Sequence, residues 1–248
     1  MMKRTVIVTG ASTGIGKAIA KSFIEAGHNV VLNSVSKENL SKTFEELGAP
    51  SNARMLAGDV GRKETGEALV SLAVSAFGRL DILVNNAGVF EAKPFLDVEE
   101  SDLDRYLGTN LKGTFFTSQA AIRTMVQNGG GSVINIGTVL VNHAIAGFPA
   151  TAPVVSKGGI HALTVQLAAE FGAQNIRVNT IAPGIIRSPL QGKNGITDAD
   201  SLGSLALLNR IGEPEDIAEV VRTVALSNFI TGEIINVDGG TVAGHAFR

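Results

Sequence analysis

Seven short apolar runs recur along the chain, at residues 6–8, 30–32, 55–57, 82–84, 133–136, 178–181 and 234–237. Most are apolar without strict alternation, the pattern of strands covered on both faces. Between them lie longer stretches in which apolar residues return at helical spacing. Ile15, Ala18, Ile19, Phe23 and Ala26 make one such stripe, and Ile160, Leu163, Leu167, Ala168 and Phe171 another. Strand and helix patterns in alternation predict a parallel, doubly wound α/β sheet of about seven strands flanked by helices, a Rossmann-type fold. Neither an internal repeat nor a low-complexity linker interrupts it, so residues 1–248 read as a single dinucleotide-binding domain. The 129–131 glycine run marks a turn before a strand, not a boundary. A chain of 248 residues is long enough to bury roughly 70–75% of its unfolded surface.

Composition removes several function classes. There is no cysteine, hence no disulfide, thiolate metal site or cysteine nucleophile, and no reason to expect an oxidising compartment. The formal charge is −2, without a basic run, so a footprint for nucleic acid or an anionic membrane is missing. No apolar run approaches the length of a bilayer span, and a cytoplasmic location is the expectation. No metal site is expected.

The segment Thr9-Gly10-Ala11-Ser12-Thr13-Gly14-Ile15-Gly16 follows the first strand and opens the first helix. Glycines there permit a tight turn and let backbone approach a pyrophosphate, which the N–H groups of the helix start then bind. Glycine clusters also make plain turns; the position between strand and helix is what favours the dinucleotide. An acid about 20 residues further on normally selects NAD by binding its ribose 2′-hydroxyl. Here that region reads Asn33-Ser34-Val35-Ser36-Lys37, with no acid and with Lys37 as a partner for a 2′-phosphate. NADP(H) is therefore expected to be slightly preferred over NAD(H), although Lys37 also suits a solvated helix start.

The spacing T-G-x-x-x-G-x-G resembles the fingerprint of the short-chain dehydrogenase/reductase family, and further pieces follow in that family's order. They are Asp59-Val60, Asn85-Asn86-Ala87-Gly88, Asn110, Lys157, Pro183-Gly184 and Val237-Asp238-Gly239-Gly240. Each alone is an ordinary turn or cap; the shared order spans nearly the whole chain. The resemblance implies NAD(P)(H)-dependent oxidoreduction of a carbonyl or alcohol. Gly10, Ser12, Thr13, Gly14, Ile15 and Gly16 would hold the cofactor, with Ser34 in the place of the NAD-selecting aspartate. Asp59 and Val60 would hold the adenine, and Asn86, Ala87 and Gly88 would line the cleft. Pro183, Gly184, Ile186 and Ser188 would complete the contacts, Ser188 near the carboxamide. Lys157 would bind the nicotinamide ribose, with Asn110 orienting it through water. The resemblance also implies a homo-oligomer, a tetramer, built on the helices containing Tyr106 to Met125 and Lys157 to Phe171 and on the C-terminal strand region, although helices buried within a monomer would read the same.

One element departs from that pattern. The family pairs hydride transfer with a tyrosine four residues before the lysine, on the same helical face, and a serine at the end of the fifth strand. Here Pro153 stands four before Lys157 and Thr138 takes the serine's place. Proline suits the first turn of a helix, with Thr151 available to cap it. The single tyrosine, Tyr106, is expected to pack in a helix or a subunit contact. His143 is the best substitute proton donor by chemistry, since a histidine titrates near neutrality; a solvated loop histidine is the alternative. His161 reads as structural. Two functions remain open: an oxidoreductase with altered proton transfer, or a non-catalytic dinucleotide-binding protein. The patternless segment 187–209 reads as a mobile lid over the substrate pocket, with a plain surface excursion as the alternative; Phe148, Leu190 and Leu202 would be its apolar contacts to a small molecule.

Overall fold

All seven apolar runs form strands, and they lie parallel in one sheet. The computed structural model describes residues 3–188 and 198–244. In chain order the elements are β1 (Thr5–Val8), α1 (Gly14–Glu25), β2 (Asn29–Ser34), α2 (Lys37–Glu46), β3 (Ala53–Ala57), α3 (Lys63–Phe77) and β4 (Ile82–Asn85). Then come α4 (Glu100–Tyr106), a π-helical segment (Leu107–Lys112), α5 (Gly113–Gln127), β5 (Gly131–Ile136), α6 (Thr151–Phe171), β6 (Ile176–Pro183), α7 (Pro214–Leu226) and β7 (Ile234–Val237). The strand order is β3-β2-β1-β4-β5-β6-β7. It reverses between β1 and β4, whose register pairs Val6 with Ile82 and Val8 with Val84. Ligands of open parallel sheets bind at the carboxyl ends of the strands beside such a reversal.

The lack of alternation in the strands has a direct cause. Val6, Val8, Val30, Leu32, Ile82, Val84, Ile134 and Ile136 pack into one core cluster, with Ile19 and Phe23 of α1 and Ile217 and Val221 of α7. Ile7, Val31, Leu83, Val133 and Val178 face the other way, onto Leu69, Ala73, Ile122 and Met125 of α3 and α5. Both faces of every central strand are thus buried, and each completely buried aliphatic side chain contributes roughly 1.5–3 kcal/mol.

The helix ends follow local chemistry. Ser36 accepts a hydrogen bond from Asn39 N (3.2 Å) at the start of α2. Glu99 and Glu213 open α4 and α7 in capping boxes with Asp102 and Asp216. At α6 the expected Thr151 cap is not the arrangement found: Ala150 is the N-cap, without a side-chain cap, and Thr151 begins the helix. A cap side chain ordinarily binds the N–H of the second or third helical residue. Here the third is Pro153, which has no N–H to bind. Pro183 is also placed slightly differently: it is the last residue of β6, paired with Val237, and not the first of the following loop. Among the described residues no helix is long and apolar enough to cross a membrane.

Candidate functional site

The cleft starts where β1 runs out. Gly10 has φ +63°, a conformation that side-chain-bearing residues rarely adopt, and a Cβ there would lie 2.8 Å from the Ala87 Cα. A Cβ on Gly16 would drive into Gly10 O and the Asn86 amide. The two glycines therefore let the loop after β1 lie against the loop after β4. Thr9 stitches them together: its hydroxyl accepts from Asn86 N and Ala87 N, both at 3.0 Å. The Asn86 amide donates back to Thr9 O and Gly10 O at 3.0 and 3.1 Å. The first turn of α1 holds no acidic residue, and its N-cap Thr13 makes no side-chain cap bond. The helix start thus presents unneutralised N–H groups to the cleft, the setting that binds phosphate groups.

At the end of β2, Ser34 is buried and its hydroxyl lies 2.9 Å from that of Ser12. Thr43 of α2 adds a bond to Ser12 O at 2.7 Å. Lys37 is exposed at the start of α2, beside Glu38. Asp59 is exposed and accepts from Gly61 N at 2.9 Å, whereas Val60 is buried where a Cβ on Gly113 would strike it.

On the other side of Asn86 the polar groups converge. Asn110 is wholly buried in the π-helical segment; its amide oxygen accepts from Val89 N at 2.8 Å, and its amide nitrogen donates to Val89 O (3.0 Å) and Ser156 Oγ (2.9 Å). Ser156 in turn donates to Pro153 O at 2.7 Å. A π-turn of this kind is often found at functional sites. Lys157, one residue on, is 7% exposed and donates to Ile136 O at 2.6 Å. Its ammonium therefore sits at the end of β5, two residues before Thr138. Burial with no carboxylate beside it lowers its pKa from the ordinary lysine value to about 8. A Cβ on Gly88 would lie 3.1 Å from Asn110 Oδ1 and 3.5 Å from Lys157 Nζ, so Gly88 keeps the approach to both open.

Thr138 is buried, and its hydroxyl accepts from Leu140 N at 3.3 Å. His143 is half-buried, with its backbone N–H bonded to Val139 O in the loop leading to α6. His161 lies one turn after Lys157, packed against Gly137. Burial and the Lys157 charge push the His161 pKa down, and its buried Nε2 has no hydrogen-bond partner. Tyr106 is buried within the protomer; its hydroxyl donates to Glu91 O at 3.1 Å and accepts from Arg105 at 3.0 Å. That is helix packing, as one of the two sequence readings held.

The rings of Phe90 and Phe148 stack at 6.2 Å, joining the loops that flank Gly88 and Pro153. Beyond β6, Gly184 N donates to Val237 O at 3.0 Å, and buried Ile186 bridges to Gly212. Arg187 pairs with Asp200 (2.6 Å) and Glu213 (2.9 Å). Of the proposed lid, residues 189–197 and with them Leu190 lie outside the described residues. Ser188 ends the described part half-buried, and half-buried Leu202 falls in a 3-10 turn over Asp200–Leu205.

Sequence reasoning missed the support under the site. Thr117, Asn85, Asn135, Thr164 and Thr180 form a buried hydrogen-bonded row across β4, β5 and β6, with links of 2.6–2.9 Å. Ser156, which ties Asn110 to α6, was missed too. These polar residues stand in otherwise apolar elements, and that is the only signal they carry in the sequence.

The model of the family described as "Enoyl-(Acyl carrier protein) reductase" matches residues 10–242. Among curated proteins, the chain is 34% identical to "3-oxoacyl-[acyl-carrier-protein] reductase FabG" of Thermotoga maritima, over 96% of this chain and 98% of that one. It is 35% identical to "3alpha-hydroxysteroid dehydrogenase" of Mediterraneibacter gnavus, over 96% and 97%. Among solved structures, "ElxO with NADP Bound" superposes with a TM-score of 0.90 at 29% identity, covering 98% of this chain and 100% of that one.

Proposed function

The chain belongs to the short-chain dehydrogenase/reductase family, an oxidoreductase family, and from that premise we propose that it interconverts a carbonyl and an alcohol with NAD(P)(H), handling the proton without a tyrosine. The observation that carries this reading is the meeting of Asn110, Lys157 and Gly88 at the end of β5 beside an open glycine loop, with Pro153 one turn before the lysine.

The residues present fit a nicotinamide dinucleotide. The start of α1 offers free N–H groups and a positive helix end without a competing acid. Lys157 has one acceptor, Ile136 O, which leaves two ammonium N–H groups for ribose hydroxyls or water. When bound, the dinucleotide supplies or takes the hydride at the carbonyl carbon. The protein's part is then to hold the substrate oxygen, the role proposed for the Thr138 hydroxyl, and to move one proton. Three sources serve that proton: Lys157 itself, water held by Lys157, and His143. The lysine is the strongest of them, because its pKa of about 8 lies close to working pH, where general acids and bases are most efficient. His143→Ala separates the third source from the other two.

NADPH is the proposed preference. Ser34 offers no carboxylate to a ribose 2′-hydroxyl, and its own hydroxyl is engaged by Ser12, while Lys37 stands exposed three residues on, at the start of α2. The remaining roles of Asp59, Val60, Ala87, Pro183, Ile186 and Ser188 at the cofactor, a single domain spanning 1–248 and a cytoplasmic location belong to the same proposal. So does a homotetramer, supported by Phe115 of α5 and by Val155 and Val165 of α6, which are exposed at 46–56%.

The alternative is a protein that binds the dinucleotide and does not turn it over, and Pro153 is the observation that favours it. Calorimetry with NADH and NADPH, paired with turnover on a panel of carbonyls and alcohols, separates the two. Binding with turnover supports the oxidoreductase, and binding without it supports the alternative. No binding of either dinucleotide at millimolar concentration contradicts both.

A further inference from the structure

At the opposite end of the sheet from the dinucleotide cleft, where the strands begin, a cavity of about 250 Å³ opens between β1, β4, β5 and β6. Its lining includes Arg4, Arg79 and Arg177 and a single acid, Asp81. We propose that it is a binding site for a small divalent oxyanion, a phosphate or phosphate monoester.

The charges do not balance within the chain. Arg4 Nη1 and Arg79 Nη2 both donate to the same oxygen, Asp81 Oδ1, at 3.1 and 2.6 Å, while Oδ2 accepts from Thr5 N at 2.8 Å. One buried carboxylate is shared by two guanidinium groups, and a third, Arg177, completes the lining without an acid of its own. Arg177 is half-buried, and both burial and the neighbouring Arg4 charge work against its protonated form. The lining residues thus carry a surplus of two positive charges, which matches the charge of about −1.5 to −2 on a phosphate monoester at pH 7.

Helices of this fold end on this side of the sheet, and cations are expected near their negative ends. Arg177 serves in that way, donating to Val224 O and Ala225 O at the end of α7 at 3.0 and 2.7 Å, and also to Ile230 O at 3.2 Å. Arg4 and Arg79 do not: the acceptor of both side chains is Asp81. Two buried donors are also left over. Ser132 is 2% exposed with no partner for its hydroxyl, and Arg79 Nε is buried without an acceptor. Both residues line the cavity, and the two unpaired atoms lie beneath its accessible surface. Guanidinium forks are the groups that recognise a tetrahedral oxyanion. The volume also admits a few waters around one, given about 30 Å³ per water.

The test is a calorimetric titration of inorganic phosphate at constant ionic strength, run with and without excess NADPH so that phosphate binding in the dinucleotide cleft is recognised. Acetate serves as the monovalent control and phenyl phosphate as the monoester. The expected result is one saturable phosphate site that persists with NADPH present, is not reproduced by acetate, and weakens about tenfold or more in Arg79→Gln. Arg4→Gln removes the partly exposed second guanidinium of the lining, so phosphate should weaken several-fold in that variant as well. Tighter phenyl phosphate than phosphate assigns the site to a monoester, and the reverse order to the free ion. Absence of saturable binding, loss of it with NADPH, equal binding of acetate, or affinity unchanged in both variants overturns the proposal.

Discussion

Replacing Lys157 with methionine should stabilise the ligand-free protein at neutral pH. The ammonium is buried with one carbonyl partner, and burial lowers its pKa to about 8, against about 10.4 for an unfolded lysine. A depressed lysine pKa means that the folded state holds the proton less tightly than the unfolded state. The penalty is complete below pH 8 and fades as the pH rises toward the unfolded pKa. At 1.36 kcal/mol per unit it amounts to about 3 kcal/mol at pH 7 and about half that at pH 9.5. Methionine fills similar space without charge but leaves Ile136 O unpaired, at a cost of about 1 kcal/mol. The net expectation is a gain of about 2 kcal/mol at pH 7 that shrinks to near zero by pH 9.5. Urea unfolding of both proteins at the two pH values reads this directly. A Lys157→Met protein less stable than wild type at pH 7, or a difference independent of pH, would refute the idea of an uncompensated buried cation.

Three further outcomes follow from the site. Gly16→Ala should weaken dinucleotide binding at least tenfold with the fold retained, because the new methyl meets Gly10 O and the Asn86 amide; calorimetry with an unchanged Kd would contradict the packing argument. Lys37→Ala should weaken NADPH by up to about fivefold and leave NADH unchanged, since an exposed charge pair contributes about 1 kcal/mol or less; an equal loss for both dinucleotides would remove Lys37 from 2′-phosphate recognition. Light scattering at micromolar concentration should give the mass of four chains, and a mass of one chain would refute association through α5 and α6.

The fold was legible because its signals are local. A strand covered on both faces reads as an unbroken apolar run, and Gly10 and Gly16 stand where the chain must turn from β1 into α1. Asn110 and Lys157 stood out only through the family resemblance, because a helix-interior asparagine and a helix lysine each have ordinary structural uses. Ser156 and Thr164 were not, because each is explained by a partner far away in sequence: Asn110 for one, Asn135 and Thr180 for the other. The missing cap of α6 was hidden for another reason. Thr151 suits a cap in isolation, but the proline two residues later removes an N–H that a cap would bind.

The central claim of the proposal is that the frame is built for the reaction and that its remaining proton sources serve it less well than a tyrosine at position 153 would. Pro153→Tyr tests it most directly. Pro153 is in the first turn of α6, where its N–H is not required, so the backbone should accept the exchange. The two proteins are compared on one shared carbonyl substrate with saturating dinucleotide. A positioned acid or base contributes about 10²–10⁴-fold; Lys157 already supplies part of that, so the expected rise in kcat is tenfold or more and stays below about 10⁴-fold, with little change in KM. A wild-type kcat equal to that of Pro153→Tyr would contradict it, since the tyrosine would then have supplied nothing that the native site lacks.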